Sequence, residues 1–162
     1  MDRIIPVTLL ALFFLALVGL ALWGWRRRGA RQAALPEPPA LRDVPVEDLL
    51  EGPIDAYYAN TVLAEQPYER VVAHGLGTRA RVELSLTREG DWLLRREGAR
   101  SFTIPAASVE EIGTAPGMSG KFVGGSGLFV IRWRLGEHRL DTGLRLPGRQ
   151  IQDRLLAQKE HA

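Results

Sequence analysis

The feature that most constrains this chain is an uncharged stretch close to its N-terminus. No residue from Ile4 to Trp25 carries a charge, and most are Leu, Ala, Phe, Val or Ile. A helix rises about 1.5 Å per residue, so this stretch matches a hydrocarbon core of roughly 30 Å. The alternative is a cleaved signal peptide, but its apolar region spans only about 7–15 residues, and Gly24-Trp25-Arg26 is a poor cleavage site. The sequence therefore predicts an N-terminal transmembrane helix.

The charges beside that stretch predict its orientation. Arg26, Arg27 and Arg28 follow it directly, whereas the N-terminal side offers one arginine and one aspartate. The positive-inside rule then puts the N-terminus outside and everything after Trp25 in the cytoplasm, as a single-pass protein of the cell membrane. The same three arginines are candidate contacts for anionic lipid headgroups. The alternative is that they serve only as the topology signal.

Composition divides the chain into three parts. Residues 1–28 form the anchor with its basic flank, residues 29–48 a linker, and residues 49–162 a β domain. The linker is rich in proline, which favours an extended, semi-rigid spacer. Cysteine is absent, which excludes disulfides and thiolate metal sites. The net charge of +2 is too small to indicate nucleic-acid binding.

Beyond the linker, apolar and polar residues alternate with period two, which is typical of half-buried antiparallel strands. In 79–87 every second residue is apolar, and in 128–135 the apolar face includes Trp133. The predicted strands are 56–63, 79–87, 92–95, 101–105, 109–114, 128–135 and 138–146, and 148–159 fits an amphipathic helix. Seven strands in meander order followed by one helix predict a mainly-β sandwich or partly open barrel.

Several short motifs carry a resemblance to a known family. They are Tyr57-Tyr58-x-x-Thr61, Gly75-Leu76-Gly77, Gly120-Lys121, Trp133-Arg134-Leu135-Gly136 and Asp141-Thr142-Gly143-Leu144-Arg145. The chain resembles bacterial single-pass membrane proteins with a cytoplasmic pleckstrin-homology-like (PH-like) domain, often described as export or transporter-associated proteins. The resemblance covers the anchor and nearly all of the β domain. It implies a PH-like seven-stranded sandwich or partly open barrel with a C-terminal helix, and it supplies no catalytic residues.

The glycine-rich segment 117–127 is the clearest candidate for recognition. Its first part is similar to a phosphate-binding loop, but Ala115 replaces the first glycine and Phe122 follows Lys121 where Ser or Thr is needed. The composition instead predicts the least restrained loop of the domain. Lys121 and Phe122 place a cation beside an apolar side chain in this segment and are candidate contacts for a partner. The alternative is a connector without a partner.

The other polar groups predict neither catalysis nor a bound cofactor or metal. No two of the three histidines have the helical spacing of metal ligands. On a strand, Asp141 and Thr142 point to opposite faces, so we expect Asp141 to pair with Arg132 or Arg139 rather than act in acid–base chemistry.

Outward arginines give a second candidate surface. Arg79 and Arg81 lie where a PH-like domain could meet phosphorylated headgroups, although neighbouring glutamates favour a solvated strand face. Together these features predict a membrane-tethered, non-enzymatic interaction module for an unidentified protein partner or the inner leaflet of the lipid bilayer. The alternative is an accessory subunit of a membrane transport or export complex. We expect no nucleic acid, and the sequence indicates no small-molecule substrate.

Overall fold

The computed structural model describes residues 9, 12–22, 35–122 and 124–158, and it divides the chain into two units, Met1–Ala34 and Leu35–Ala162. In the first unit residues 12–22 are helical. The prediction of a transmembrane helix from Ile4 to Trp25 is wrong. Among the described residues no helix is long and apolar enough to cross a membrane.

Two further predictions concern residues near that stretch. The candidate headgroup contacts Arg26, Arg27 and Arg28 lie outside the described residues. The orientation inferred from them stays a prediction. The second unit begins at Leu35, within the stretch predicted to be a linker.

The second unit is a mainly-β domain with a C-terminal helix. Its described strands are β1 (Leu49–Leu63), β2 (Gln66–Arg70), β3 (Ala80–Thr87), β4 (Trp92–Arg96), β5 (Phe102–Ile104), β6 (Val109–Ala115), β7 (Gly117–Met118), β8 (Lys121–Phe122), β9 (Leu128–Leu135) and β10 (His138–Arg145), and the helix is Arg149–Ala157. Short 3-10 turns lie at Val46–Asp48, Ala73–Gly75 and Ala106–Ser108. All seven predicted strands and the helix are present, while β2, β7 and β8 were not predicted.

The strand order differs from a simple meander. The main sheet runs β5-β4-β3-β1-β10-β9-β6, with β2 paired to β1, and β7–β8 is a separate hairpin. Residues 49–58 of β1 pair with β3, and residues 57–63 pair with β10. This long strand therefore joins two meanders into one sheet. The outermost strands, β5 and β6, do not pair with each other, so the barrel is partly open.

The first half of β1 tolerates a Gly-Pro pair because only one of its edges is used. Pro53 has no amide hydrogen to donate, which is acceptable where a strand pairs on one side alone. Gly52 has φ +105°, and a Cβ there would lie 2.7 Å from the carbonyl oxygen of Leu84. Only glycine fits so close to the neighbouring strand.

The inward faces of the strands form one hydrophobic core. Alternation correctly placed Trp133, Ile131 and Phe129 of β9 inside, and all three side chains are fully buried. The ring of Trp133 stacks on Phe102 at 6.0 Å between centroids. The C-terminal helix adds Leu155, which is also fully buried. The helix is therefore held by the core, as expected for an amphipathic helix of this length.

The segment 35–42, which we call the strap, covers the outer edge of β5. The amide of Thr103 donates to the carbonyl of Pro39 at 3.0 Å. Ala40 forms a bridge with Phe102, and the amide of Arg42 donates to Oγ1 of Thr103 at 2.9 Å. The main-chain groups of this edge are thus paired by the chain itself.

Core packing and ion pairs fix the strap at several points. Leu35 is buried in the hydrophobic core. Glu37 pairs with Arg100, and Arg42 pairs with Asp91. The strap is therefore part of the folded domain.

Candidate functional site

Strand β6 forms the opposite edge of the sheet, and no strap covers it. Its residues 111–115 pair with residues 128–132 of β9. Main-chain amides and carbonyls alternate between the two sides of a strand, so about half of those in Val109–Ala115 face away from β9. No other strand in the described part of the chain pairs with β6. An edge of this kind is a template for a further strand.

A groove of 490 Å³ runs beside this edge. Its apolar lining comes from sequence-distant elements, namely Leu50, Leu86, Trp92, Val109 and Ile112. Leu86 and Trp92 are almost fully buried and form its floor, while Leu50 is 45% exposed. The groove therefore offers an apolar surface next to a strand edge that no other described strand covers.

The C-terminal helix positions one end of the groove. Leu155 anchors the helix in the core, and Arg154 reaches Glu51 of β1 at 3.3 Å. Gln158, immediately after the helix, lies in the groove wall. The helix thus fixes the groove wall relative to the first half of β1.

Carboxylates with arginine partners line the rim. Glu110 accepts hydrogen bonds from Nη2 of Arg134 and Nε of Arg139, each at 2.7 Å. These bonds, led by that of Arg134, hold the pKa of Glu110 below its ordinary value. Glu111 lies 3.3 Å from Nη1 of Arg132. The rim is consequently charged but internally balanced.

A comparison with protein families decides what kind of domain carries this groove. The model of a family described as bacterial PH domain-like matches residues 32–160. The chain belongs to this family. Searches of curated proteins and of solved structures gave no match. PH-like domains are typically non-catalytic interaction modules. The match confirms the PH-like part of the resemblance, while its single-pass membrane and export associations lie outside what the match shows.

The predicted recognition residues lie away from the groove of this PH-like domain, in the β7–β8 hairpin. The backbone of Lys121 and Phe122 forms β8, so the predicted loop contains a short paired hairpin. Ser119 and Gly120 turn it, with φ of 53° and 73°. The amide nitrogen Nδ2 of Asn60 donates to Oγ of Ser119 at 2.7 Å and ties the hairpin to β1. The recognition role of Lys121 and Phe122 stays a prediction.

The predicted headgroup contacts of the PH-like domain do not form a basic patch. Arg81 lies opposite Tyr57 in a shallow outer cleft of 530 Å³. The cleft also holds Arg95, which lies 3.6 Å from Glu83. Its acidic and basic residues are equal in number, and Arg79 is exposed outside its lining. Headgroup binding through Arg79 and Arg81 stays a prediction.

Asp141 confirms the expected ion pair. Nε and Nη2 of Arg132 donate to its two carboxylate oxygens at 2.7 and 2.9 Å. The hydrogen bonds to Asp141 raise the pKa of Arg132. Within the described ranges of the PH-like domain, no three His, Asp or Glu side chains are grouped closely enough to hold a metal ion. The polar groups of this face therefore tie strands together.

The groove itself had no signal in the sequence. Leu50, Trp92 and Ile112 belong to three different strands, and each fits the ordinary apolar pattern of its own strand or flank. Only the sheet order brings them together beside an unpaired edge.

Proposed function

We propose that this PH-like domain is a protein-interaction module that holds its partner at the β6 edge and the adjoining groove. The observation that carries the proposal is the difference between the two edges of one sheet. The strap pairs with β5, whereas β6 has no partner strand among the described residues. Protein sheets usually cover or blunt an edge that has no pairing role.

The surface beside that edge has the makeup of a protein interface. Its centre is apolar, with Trp92 and Leu86 below and Leu50 exposed at the side. Its rim carries Glu110 and Glu111 in ion pairs. An apolar centre with a polar rim is the usual arrangement of protein–protein contacts.

The proposal assigns binding without turnover. The buried carboxylate of Asp141 is held by Arg132 in a two-point ion pair. A carboxylate committed in this way is poorly placed to exchange protons with a substrate. Membership of a family of interaction modules supports the same role.

Site-specific crosslinking in the full-length chain tests the proposal. A photo-crosslinking residue at Ala106, which lies in the groove lining, should form an adduct with a defined protein. Adding Leu50→Asp should remove the adduct, because a carboxylate cannot be buried in an apolar contact at low cost. The control is Val46→Asp, which changes a 72% exposed side chain outside the groove lining. Equal adducts from both variants, or no adduct from the parent, would reject the proposal.

We further propose that Lys121 and Phe122 add a second contact with the partner. The long aliphatic side chain and charge of a lysine, next to an aromatic residue, are suited to contact with another protein. The double substitution Lys121→Ala/Phe122→Ser should reduce the yield of the Ala106 adduct without abolishing it. An unchanged yield would reduce the β7–β8 hairpin to a connector.

A further inference from the structure

We infer that the occupant of the β6 edge is an extended peptide segment that adds to β6 as a further strand. Its side chains at alternate positions are apolar, and its flanks carry Lys or Arg rather than Asp or Glu. The inference rests on the proposed function and names the class of partner that the site takes.

The main chain of β6 sets the conformation of the occupant. The strand is Val109–Ala115, and an added strand presents acceptors and donors at the spacing of its outward amides and carbonyls. An extended segment of about seven residues supplies both along the whole edge. A helical segment cannot, because its own main-chain groups are already paired internally.

The two sides of β6 set the side-chain pattern. Ile112 faces the groove with Leu50 and Trp92, whereas Gly113, the next residue, lines the cleft on the other face. A Cβ at Gly113 would meet no atom within 4 Å. Neighbouring side chains of an added strand would likewise point alternately into the groove and away from it. Every second side chain should therefore be apolar.

The charged residues of the groove set the flanks. Its lining contains Glu89, Glu110 and Glu111 against the single cation Arg88. All three carboxylates already have arginine partners in their own chain, so they add little affinity. They still repel an acidic segment, and like-charge contacts are an effective means of rejecting partners. Lysine or arginine at the ends of the segment meets no such repulsion.

Synthetic peptides and the full-length protein test the inference. The parent peptide, about as long as β6, is blocked at both ends, alternates valine or leucine with threonine, and ends in lysines. Two twins carry N-methyl groups on alternate amides, one on the odd positions and one on the even positions. Strand addition uses one edge of the peptide, so one twin should lose at least about tenfold in affinity while the other keeps it. A fourth peptide ends in glutamates and should bind about threefold or more weakly, with the gap closing in high salt.

Amide hydrogen exchange locates the bound peptide. Outward amides of β6 should be protected by the parent peptide, in the Val46→Asp control as in the wild type. Leu50→Asp should remove the protection, because it places a charge against the apolar side chains of the peptide. Measured melting temperatures ensure that only folded variants are compared.

Several outcomes would overturn the inference. Equal binding of the two methylated twins would mean that the groove is used without strand pairing. A concentration-dependent dimer of the protein alone, with β6 protected, would make a second copy of this chain the occupant. Absence of peptide binding would reject the peptide class, while a Leu50-dependent adduct at Ala106 would leave the proposed function intact. Absence of the Ala106 adduct from the parent chain, or an equal adduct in Leu50→Asp and Val46→Asp, would reject the proposed function.

Discussion

The indole Nε1 of Trp133 donates a hydrogen bond to Oγ1 of Thr142 at 2.9 Å, inside the core. Oγ1 of Thr142 lies 2.8 Å from that of Thr61, which lies 2.5 Å from the hydroxyl of Tyr58. The Tyr58 hydroxyl donates to the carbonyl of Leu76 at 2.8 Å. Since an indole can only donate and a carbonyl can only accept, every hydroxyl in the chain points the same way. This directional series of hydrogen bonds links β9, β10, β1 and the turn before β3.

Thr142→Val should interrupt this series of hydrogen bonds at its centre. The substitution leaves the indole N–H of Trp133 and the hydroxyl of Thr61 with one partner fewer in a dry environment. We expect a loss of about 1–3 kcal/mol in the free energy of unfolding, the cost of leaving the buried indole N–H without an acceptor. Urea denaturation measures it. Thr114→Val, on the exposed part of β6, is the control and should change little. Equal losses of stability in Thr142→Val and Thr114→Val would show that this series of hydrogen bonds adds no stability.

Trp133→Ala tests the packing around the same residue. The side chain is fully buried and stacks on Phe102. Truncating a large buried aromatic leaves a cavity, so we expect a loss of about 3–5 kcal/mol in the free energy of unfolding. A thermal melt of the variant that matches the parent would mean that the ring contributes nothing to the core.

Tyr58 should make stability fall at high pH. Burial is the largest cause that raises its pKa, to about 12, from about 10 in the unfolded chain. The folded state therefore keeps the proton that the unfolded state loses. This contribution is complete below about pH 10 and declines towards pH 12. Tyr58→Phe should melt with a weaker decline over that window, and an identical pH profile would contradict the prediction.

Glu110 should make stability fall at low pH. Its pKa is held below the ordinary value by hydrogen bonds from Arg134 and then Arg139. The folded state therefore favours the ionised form, so the contribution is present above about pH 4.3 and is lost as the pH falls through the folded pKa. The melting temperature of Glu110→Gln should lie below that of the parent at neutral pH and meet it in acid. A difference that persists in acid would assign the effect to shape rather than charge.

Strands with clean alternation could be predicted from the sequence, because the side-chain period itself encodes which face is buried. This holds for β3 and β9, and for the inward position of Trp133. The strand order could not be predicted, since main-chain pairing leaves no mark on composition. The half of β1 around Pro53 was missed for a related reason, as its proline is tolerated only because one edge there is unpaired.

The groove was not predicted from the sequence, and the transmembrane helix was predicted wrongly. The two failures have different reasons. The groove joins Leu50, Trp92 and Ile112, which only the three-dimensional sheet order brings together. The stretch from Ile4 to Trp25 is uncharged throughout, yet a lack of charge does not by itself establish a helix that spans a membrane, and none is found among the described residues.

The strap leads to the last prediction, which concerns where the folded domain begins. Leu35 is 4% exposed within the hydrophobic core, and its carbonyl lies 2.8 Å from Nε2 of His74, a hydrogen bond in which the ring nitrogen donates. A chain that begins at Leu35 should therefore be more stable than one that begins at Leu49, which lacks both these contacts and the cover on β5. Leu35→Ala should cost about 2–5 kcal/mol, as for other buried leucines. Val46→Ala, at a 72% exposed position, is the matched control and should cost far less. Urea denaturation of the two truncated chains and the two variants gives the comparison. If the chain beginning at Leu49 unfolds at the same urea concentration as the longer one, the strap adds no stability. The contrast between a covered β5 edge and an uncovered β6 edge would then have to be reconsidered.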